Sequence, residues 1–251
     1  MELTRKKTIV TGAASGIGQA LIAELCKQDV QIVAVDVRPI DLSAFEHPER
    51  ITPLAFDLSR PEQVDALFEQ ALGLLGRIDL FVANAGFAYY EHLNHADWEH
   101  MERIFQVNVF SAIHAALKMQ ELNRHKPYRV VITASAMAYI PLPKYALYSS
   151  TKAALHAFAD SHRWQLSDPR SLVLVYPIAT RTAFFQQASS KTPVPWPSQT
   201  PQEVARAILR GIEADQTSIF PSDVFRVGLK LRAVLPFLHR LIQWREQVRK
   251  K

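Results

Sequence analysis

Three of the chain's eight glycines fall within Thr11-Gly12-Ala13-Ala14-Ser15-Gly16-Ile17-Gly18, and this stretch limits the possible folds more than any other. A short apolar run, Thr8-Ile9-Val10, precedes it, and an amphipathic pattern from Ile17 to Lys27 follows. A strand that turns on glycines into a helix is the opening of a βαβ unit. The glycines permit a tight turn and let the backbone come close to an anion. The helix that follows aims its unpaired N–H groups and the positive end of its dipole at the same point. The expectation is a turn that holds a pyrophosphate.

The alternation continues along the chain. Apolar runs at Val30 to Val35, Ile51 to Phe56, Ile78 to Ala83, Arg129 to Ala134, Leu172 to Val175 and Thr217 to Phe220 read as strands two to seven. Helical patterns lie between them: Pro61 to Leu75, Asp97 to about Leu122, Tyr148 to Leu166, and Pro201 to about Ala214. Proline opens two of these because the first helical turn tolerates it. The strands are continuously apolar rather than alternating, the pattern of a parallel sheet covered on both faces. The expected fold is α/β, a single Rossmann-type doubly wound domain with a seven-stranded, mostly parallel sheet. No internal repeat or linker divides it. Residues 1–221 are expected to form the dinucleotide-binding catalytic domain, and residues 222–251 a basic amphipathic helical extension of that domain. Ala183 to Gln199, with Phe184, Phe185, Trp196 and three prolines, shows no periodicity and is expected to be a loop over an active site.

At 251 residues, 48% of them hydrophobic, the chain is long enough to bury a full core. Its one cysteine, Cys26, excludes a disulfide within the chain and fits a reducing compartment. The first apolar run is too short for a signal-peptide core, so the expected location is cytoplasmic, with a membrane-surface contact left open. The net charge of +5 is uneven. From Phe225 onward eight basic residues face one acid, Glu246, a sum of +7 that leaves the rest of the chain at −2. The basic character belongs to the tail, which argues against a nucleic-acid-binding domain. Four charges in Val224 to Trp244 speak against a membrane span. Val227, Leu231, Val234, Leu235, Leu238, Leu241 and Ile242 approximate one helical face, with Arg226 and Lys230 on another and Pro236 as a break. Two readings stay open: a helix lying on an anionic membrane surface, or one that caps the substrate cleft or packs on a partner subunit.

The glycine spacing is Gly-x-x-x-Gly-x-Gly, not the Gly-x-Gly-x-x-Gly of the best-known dinucleotide fingerprint. With the preceding threonine it resembles the first motif of the short-chain dehydrogenase/reductase family, and the resemblance extends from about Lys6 to Phe220. It implies that Gly12, Ser15, Gly16, Ile17 and Gly18 surround a nicotinamide dinucleotide. Asp36 ends the second strand 18 residues after Gly18, where a carboxylate accepts the ribose hydroxyls of NAD and repels the 2′-phosphate of NADP. NAD is therefore favoured over NADP, with Arg38 contesting. The resemblance also implies that Asp57, followed by Leu58, meets the adenine, and that Asn84-Ala85-Gly86 steadies the sheet beside the cofactor. Tyr176-Pro177 is followed by Ile178 where the family has glycine, and Thr182 stands where the family places a threonine on the nicotinamide carboxamide.

Tyr148 and Lys152 lie i, i+4 at a helix start and so share a face. Moving hydride to a ketone requires a proton donor, and moving it from an alcohol requires an acceptor. A phenol near pKa 10 is a poor base at neutrality, and a nearby ammonium is expected to lower it. Ser135, 13 residues upstream, matches the family's serine that holds the substrate oxygen. Asn108 matches its fourth catalytic residue, which implies a kinked helix and a water link to Lys152. Tyr145 has Ser149 as its i+4 partner, which removes it as the base but not from the cleft wall.

The expected activity is oxidoreduction of a small, fairly apolar alcohol or ketone, with Phe87, Tyr89, Tyr90, Tyr145, Phe184, Phe185 and Trp196 as candidate walls. The alternative is a catalytically weak cofactor-binding regulator or membrane-surface protein. His92, His95 and His100 complete no metal ligand set, so no metal is expected. Pairing of relatives through two long central helices implies a homodimer or homotetramer.

Overall fold

The computed structural model describes residues 1–188 and 197–234. Trp196, Pro236 and the apolar tail positions after Val234 lie outside the described residues. Seven strands form one sheet in the order β3-β2-β1-β4-β5-β6-β9. They are β1 (Lys7–Thr11), β2 (Gln31–Asp36), β3 (Ile51–Ala55), β4 (Leu80–Ala83), β5 (Arg129–Thr133), β6 (Leu172–Val175) and β9 (Ser218–Ile219). All six neighbouring pairs run parallel, so the sheet is wholly parallel.

Helices cover both faces, and the strand residues divide between them one by one. Val33 and Val35 of β2, Val130 and Ile132 of β5, and Leu172 and Leu174 of β6 join one core. That core is completed by α2 (Pro61–Leu75), α4 (Ser111–Leu122) and α5 (Ala146–His162). Ile32 and Ala34, Val131, and Val173 and Val175 point the other way, against α1 (Gly16–Leu25) and α7 (Pro201–Glu213). Period-two alternation with both faces buried explains the continuous apolar runs. Pro53 sits in β3, an edge strand, where a missing N–H costs no inner ladder bond.

The expected helix from Asp97 to Leu122 is one rod with a defect. Asp97 caps α3 (Trp98–Phe105), accepting from the His100 N–H at 3.0 Å. A π turn, Gln106–Phe110, then joins it to α4. Ser111 Oγ donates to the Val107 carbonyl at 2.6 Å, a side-chain bond at the defect. The expected loop from Ala183 to Gln199 is corrected at both ends. It begins in α6 (Phe184–Ala188) and ends in β8 (Ser198–Gln199), which pairs in parallel with β7 (Ala179–Thr180). Two-residue strands are too short for periodicity to mark. The described chain closes with α8 (Asp223–Val234), whose Phe225 packs against the first core.

Candidate active site

β1 is flanked by β2 on one side and β4 on the other, so successive strands leave it in opposite directions. In open parallel sheets ligands bind beyond the carboxyl ends of the strands at such a switch point. A cavity of about 1040 Å³ lies there, slightly beyond the ~300–1,000 Å³ usual for one small ligand.

Gly12, Ser15, Gly16 and Ile17 line one end of it. Gly16 has φ +60°, and a Cβ there would meet Thr182 Cγ2 at 3.1 Å. Gly18 does not line the cavity. A Cβ on it would fall 2.1 Å from the Gly12 carbonyl oxygen, so its role is to let α1 close on the turn. Asp36 is buried at the end of β2. Its Oδ2 accepts from the Ala14 N–H at 3.0 Å, and its Oδ1 accepts from Arg38 N at 3.0 Å and Nε at 3.3 Å. Arg38 Nη2 donates onward to Ser15 Oγ at 2.9 Å. Both of the contending residues therefore stand at one place. Asp57 and Leu58 line the same end, and Asp57 Oδ1 accepts from the Ser59 N–H at 3.0 Å.

Asn84 joins three strands. Its Nδ2 donates to the Thr11 carbonyl at 3.1 Å, and its Oδ1 accepts from Thr133 Oγ1 at 3.2 Å. The N–H groups of Asn84 and Ala85 both donate to Thr11 Oγ1, at 2.9 and 3.0 Å. Ala85 and Gly86 continue the cavity wall.

Deeper in, Ser135, Tyr148 and Lys152 converge on the cavity. The Ser135 hydroxyl hydrogen-bonds the Tyr148 phenol and also accepts from the Met137 N–H at 3.1 Å. Lys152 Nζ donates to the Thr133 carbonyl at 2.7 Å and lies 5.5 Å from the centre of the Tyr148 ring. Asn108 is buried behind them and does not line the cavity. Its Nδ2 donates to the Phe87 carbonyl at 2.8 Å and to Thr151 Oγ1 at 3.2 Å, while its Oδ1 accepts from the Phe87 N–H at 3.0 Å. It sits in the π turn between α3 and α4.

The expected electrostatics need correction. Burial dominates, pushing the Tyr148 phenol up to about 12 despite the opposing Ser135 hydrogen bond. Burial also brings the Lys152 ammonium down to about 8. Taking each charge out of water is the largest cause of both shifts.

Pro177, Ile178 and Thr182 all line the cavity, and the Pro177 carbonyl accepts from the Ala136 N–H at 2.9 Å. Of the aromatic candidates, Phe87, Phe184 and Phe185 form the wall. Tyr89, Tyr90 and Tyr145 do not; Tyr145 is wholly buried behind it, its ring 5.1 Å from Tyr90 and 6.3 Å from Tyr148. Sequence reasoning missed Met137, Ile140 and Leu142, although a chain running from Ser135 to Tyr148 must cross the cleft. It also left open that α8 contributes Val224, Phe225, Gly228 and Leu231 to the wall. Among the described residues no group of three or more His, Cys, Asp or Glu side chains could hold a metal ion. His100 Nε2 lies 2.7 Å from Glu91, and His156 Nδ1 lies 2.8 Å from the Tyr176 hydroxyl.

A family model described as short chain dehydrogenase matches residues 6–193. An uncharacterized oxidoreductase, YbbO, of Escherichia coli (strain K12) is 30% identical over 199 residues, 77% of this chain and 74% of its own. Versicolorin reductase 1 of Dothistroma septosporum is 26% identical over 237 residues, 90% of this chain and 85% of its own. Among solved structures, a short-chain dehydrogenase/reductase from Burkholderia phymatum in complex with NAD has the same fold. Its TM-score is 0.80 at 20% identity, over 95% of this chain and 96% of that one. A short-chain dehydrogenase from Sphingobium yanoikuyae in complex with NADPH superposes with a TM-score of 0.78 at 23% identity, over 94% and 95%.

Proposed function

The chain belongs to the short-chain dehydrogenase/reductase family and is an NAD(P)-dependent oxidoreductase; on that premise we propose that it interconverts an apolar alcohol and its carbonyl compound with Tyr148 as the acid/base. One observation carries this reading. The Ser135 hydroxyl, the Tyr148 phenol and the Lys152 ammonium meet at a cavity whose far wall is Met137, Ile140, Leu142, Ile178, Phe184 and Phe185. These six side chains are uncharged, so an uncharged substrate lying against them leaves no buried ion without a partner.

The residues present fit a dinucleotide. Gly12, Ser15, Gly16 and Ile17 would hold its pyrophosphate, Asp36 a ribose, Asp57 and Leu58 the adenine, and Pro177, Thr182 and Lys152 the nicotinamide end, beside Asn84, Ala85 and Gly86. When bound, the cofactor supplies or accepts the hydride. In reduction, the carbonyl π pair moves onto oxygen as hydride reaches carbon, and the Tyr148 hydroxyl gives that oxygen its proton. Ser135 holds the oxygen with a second hydrogen bond. At neutral pH a phenol pushed up to about 12 is in the protonated form that reduction consumes. Lys152 passes the replacement proton to Tyr148, and Asn108 steadies the water that links Lys152 to solvent. Oxidation runs the same path backwards.

NAD is the favoured cofactor, because a 2′-phosphate would have to enter beside the Asp36 carboxylate. Arg38, which already pairs with Asp36, moderates the repulsion. The protein acts in the cytoplasm, as a homodimer or homotetramer.

Tyr148→Phe tests the reading. Turnover of apolar secondary alcohols and ketones should fall by about 10²–10⁴-fold, while NADH binding, followed by transfer of tryptophan fluorescence, stays within twofold or so. A variant that retains near-normal turnover rejects Tyr148. A wild-type chain that binds NADH and turns over no apolar alcohol or ketone points to the regulatory alternative.

A further inference from the structure

The helix α8 presents one apolar stripe at i, i+3, i+4 and i+7: Val224, Val227, Gly228 and Leu231. Val224 is 74% exposed, Val227 54% and Leu231 50%, although Val224, Gly228 and Leu231 also line the cavity. A Cβ on Gly228 would meet nothing within 4 Å. Val224, Gly228 and Leu231 are therefore the open lip of the cleft, and Val227 stands on the same face of the helix but outside the cavity. On the adjoining face Arg226 and Lys230 are exposed one turn apart. The acid of α8, Asp223, pairs with Arg226 at 2.9 Å. From Phe225 onward the chain carries +7, against −2 for everything before it.

We infer that α8 docks on an anionic lipid surface and that the cleft takes its apolar substrate from that bilayer. An amphipathic helix with basic residues beside an apolar stripe binds at the headgroup boundary by both effects together. A second copy of the chain is a poorer occupant. Three exposed side chains fall well short of the ~800 Å² per partner of a stable interface, and two highly basic tails would meet. Placing the lip in the headgroup layer lets an apolar alcohol pass from acyl chains to Phe225 and Ile178 without crossing water. The loading step rests on the apolar-substrate reading of the cleft; the docking step does not.

The test uses the full chain with sedimented vesicles of phosphatidylcholine, with or without phosphatidylglycerol, at low and high salt. Binding is expected only with phosphatidylglycerol at low salt. Each basic residue near such a surface strengthens binding roughly fivefold, so Arg226→Glu with Lys230→Glu should weaken it at least about tenfold. Val227→Asp should also weaken it, with NADH binding unchanged in both variants. Loading predicts that Val227→Asp slows oxidation of a long-chain secondary alcohol dissolved in anionic vesicles and leaves kcat for a short, water-soluble one unchanged. The proposal is overturned if the chain stays in the supernatant with phosphatidylglycerol vesicles, or if it sediments equally well with both α8 variants. It is also overturned if Val227→Asp splits a dimer in a protein that binds no vesicles. Vesicle binding without turnover of any apolar alcohol would reject the substrate reading and the loading step, leaving the docking.

Discussion

Burying Lys152 beside Tyr148 makes the stability of the protein depend on pH in two opposite windows. The lysine, brought down to about 8, has lost its proton in the folded chain between pH 8 and about 10, while the unfolded chain still holds it. Stability rises with pH wherever the unfolded chain binds more protons, so it rises through that window, by at most on the order of 3 kcal/mol. The phenol, pushed up to about 12, keeps its proton in the folded chain after the unfolded chain loses it near 10. Its contribution is present below about pH 10 and is lost as pH rises toward 12. Urea unfolding of the wild type and Lys152→Met should therefore diverge between about pH 8 and 10, the wild type gaining. Parallel curves would mean that Lys152 is not desolvated. Asp36 and Arg38 give a second comparison at single side chains. Asp36→Ala should shift relative affinity toward NADPH about tenfold, since a charged acceptor for ribose is lost. Arg38→Leu should shift it toward NADH. Equal affinities in all three proteins would show that neither residue selects the cofactor.

Single elements show where sequence patterns carry information and where they stop. Pro201 marks a helix start because it follows Thr200, and Thr200 Oγ1 accepts from the Glu203 N–H at 3.1 Å while Glu203 Oε2 accepts from the Thr200 N–H at 2.6 Å. Thr200→Ala should cost about 1 kcal/mol and lower Tm by roughly 2–4 °C in a chain of this size. An unchanged Tm would show that α7 is held by packing alone. The strands of the main sheet, α2 and α7 were legible for the same reason: caps, prolines and apolar runs are local signals. That the glycine turn, Ser135, Tyr148 and Lys152 meet at one cavity was legible because motif spacing survives whatever packs around it. The π turn was not legible from periodicity, and the bonds made within it are long-range ones that spacing does not show. Asn108 is bonded to Phe87, 21 residues away, and to Thr151, 43 residues away. The parallel pair β7 and β8 escaped notice because two residues hold no period. The upward shift of Tyr148 was missed because i, i+4 spacing reveals a neighbouring charge but not the loss of water around it.

At the scale of the whole molecule, the fold leaves large apolar side chains in solvent that the cavity does not use. Trp164, just after α5, is 92% exposed, and Phe110 at the end of the π turn and Leu117 on α4 are exposed too. None of the three lines the cavity. Exposed apolar residues scattered singly are ordinary, so these three gain meaning only if they form one buried patch in an assembly. A homodimer or homotetramer that pairs α4 and α5 is tested by these three residues, and a stable interface needs about 800 Å² on each subunit. Sedimentation velocity at micromolar concentration should then give a dimer or tetramer for the wild type. Leu117→Glu with Trp164→Glu should yield monomers, because two buried carboxylates without partners cost far more than a surface contact returns. NADH binding should persist in those monomers, as the cleft is built within one chain. A wild type that sediments as a monomer would instead leave these residues as ordinary surface, and would make assembly unnecessary to the site.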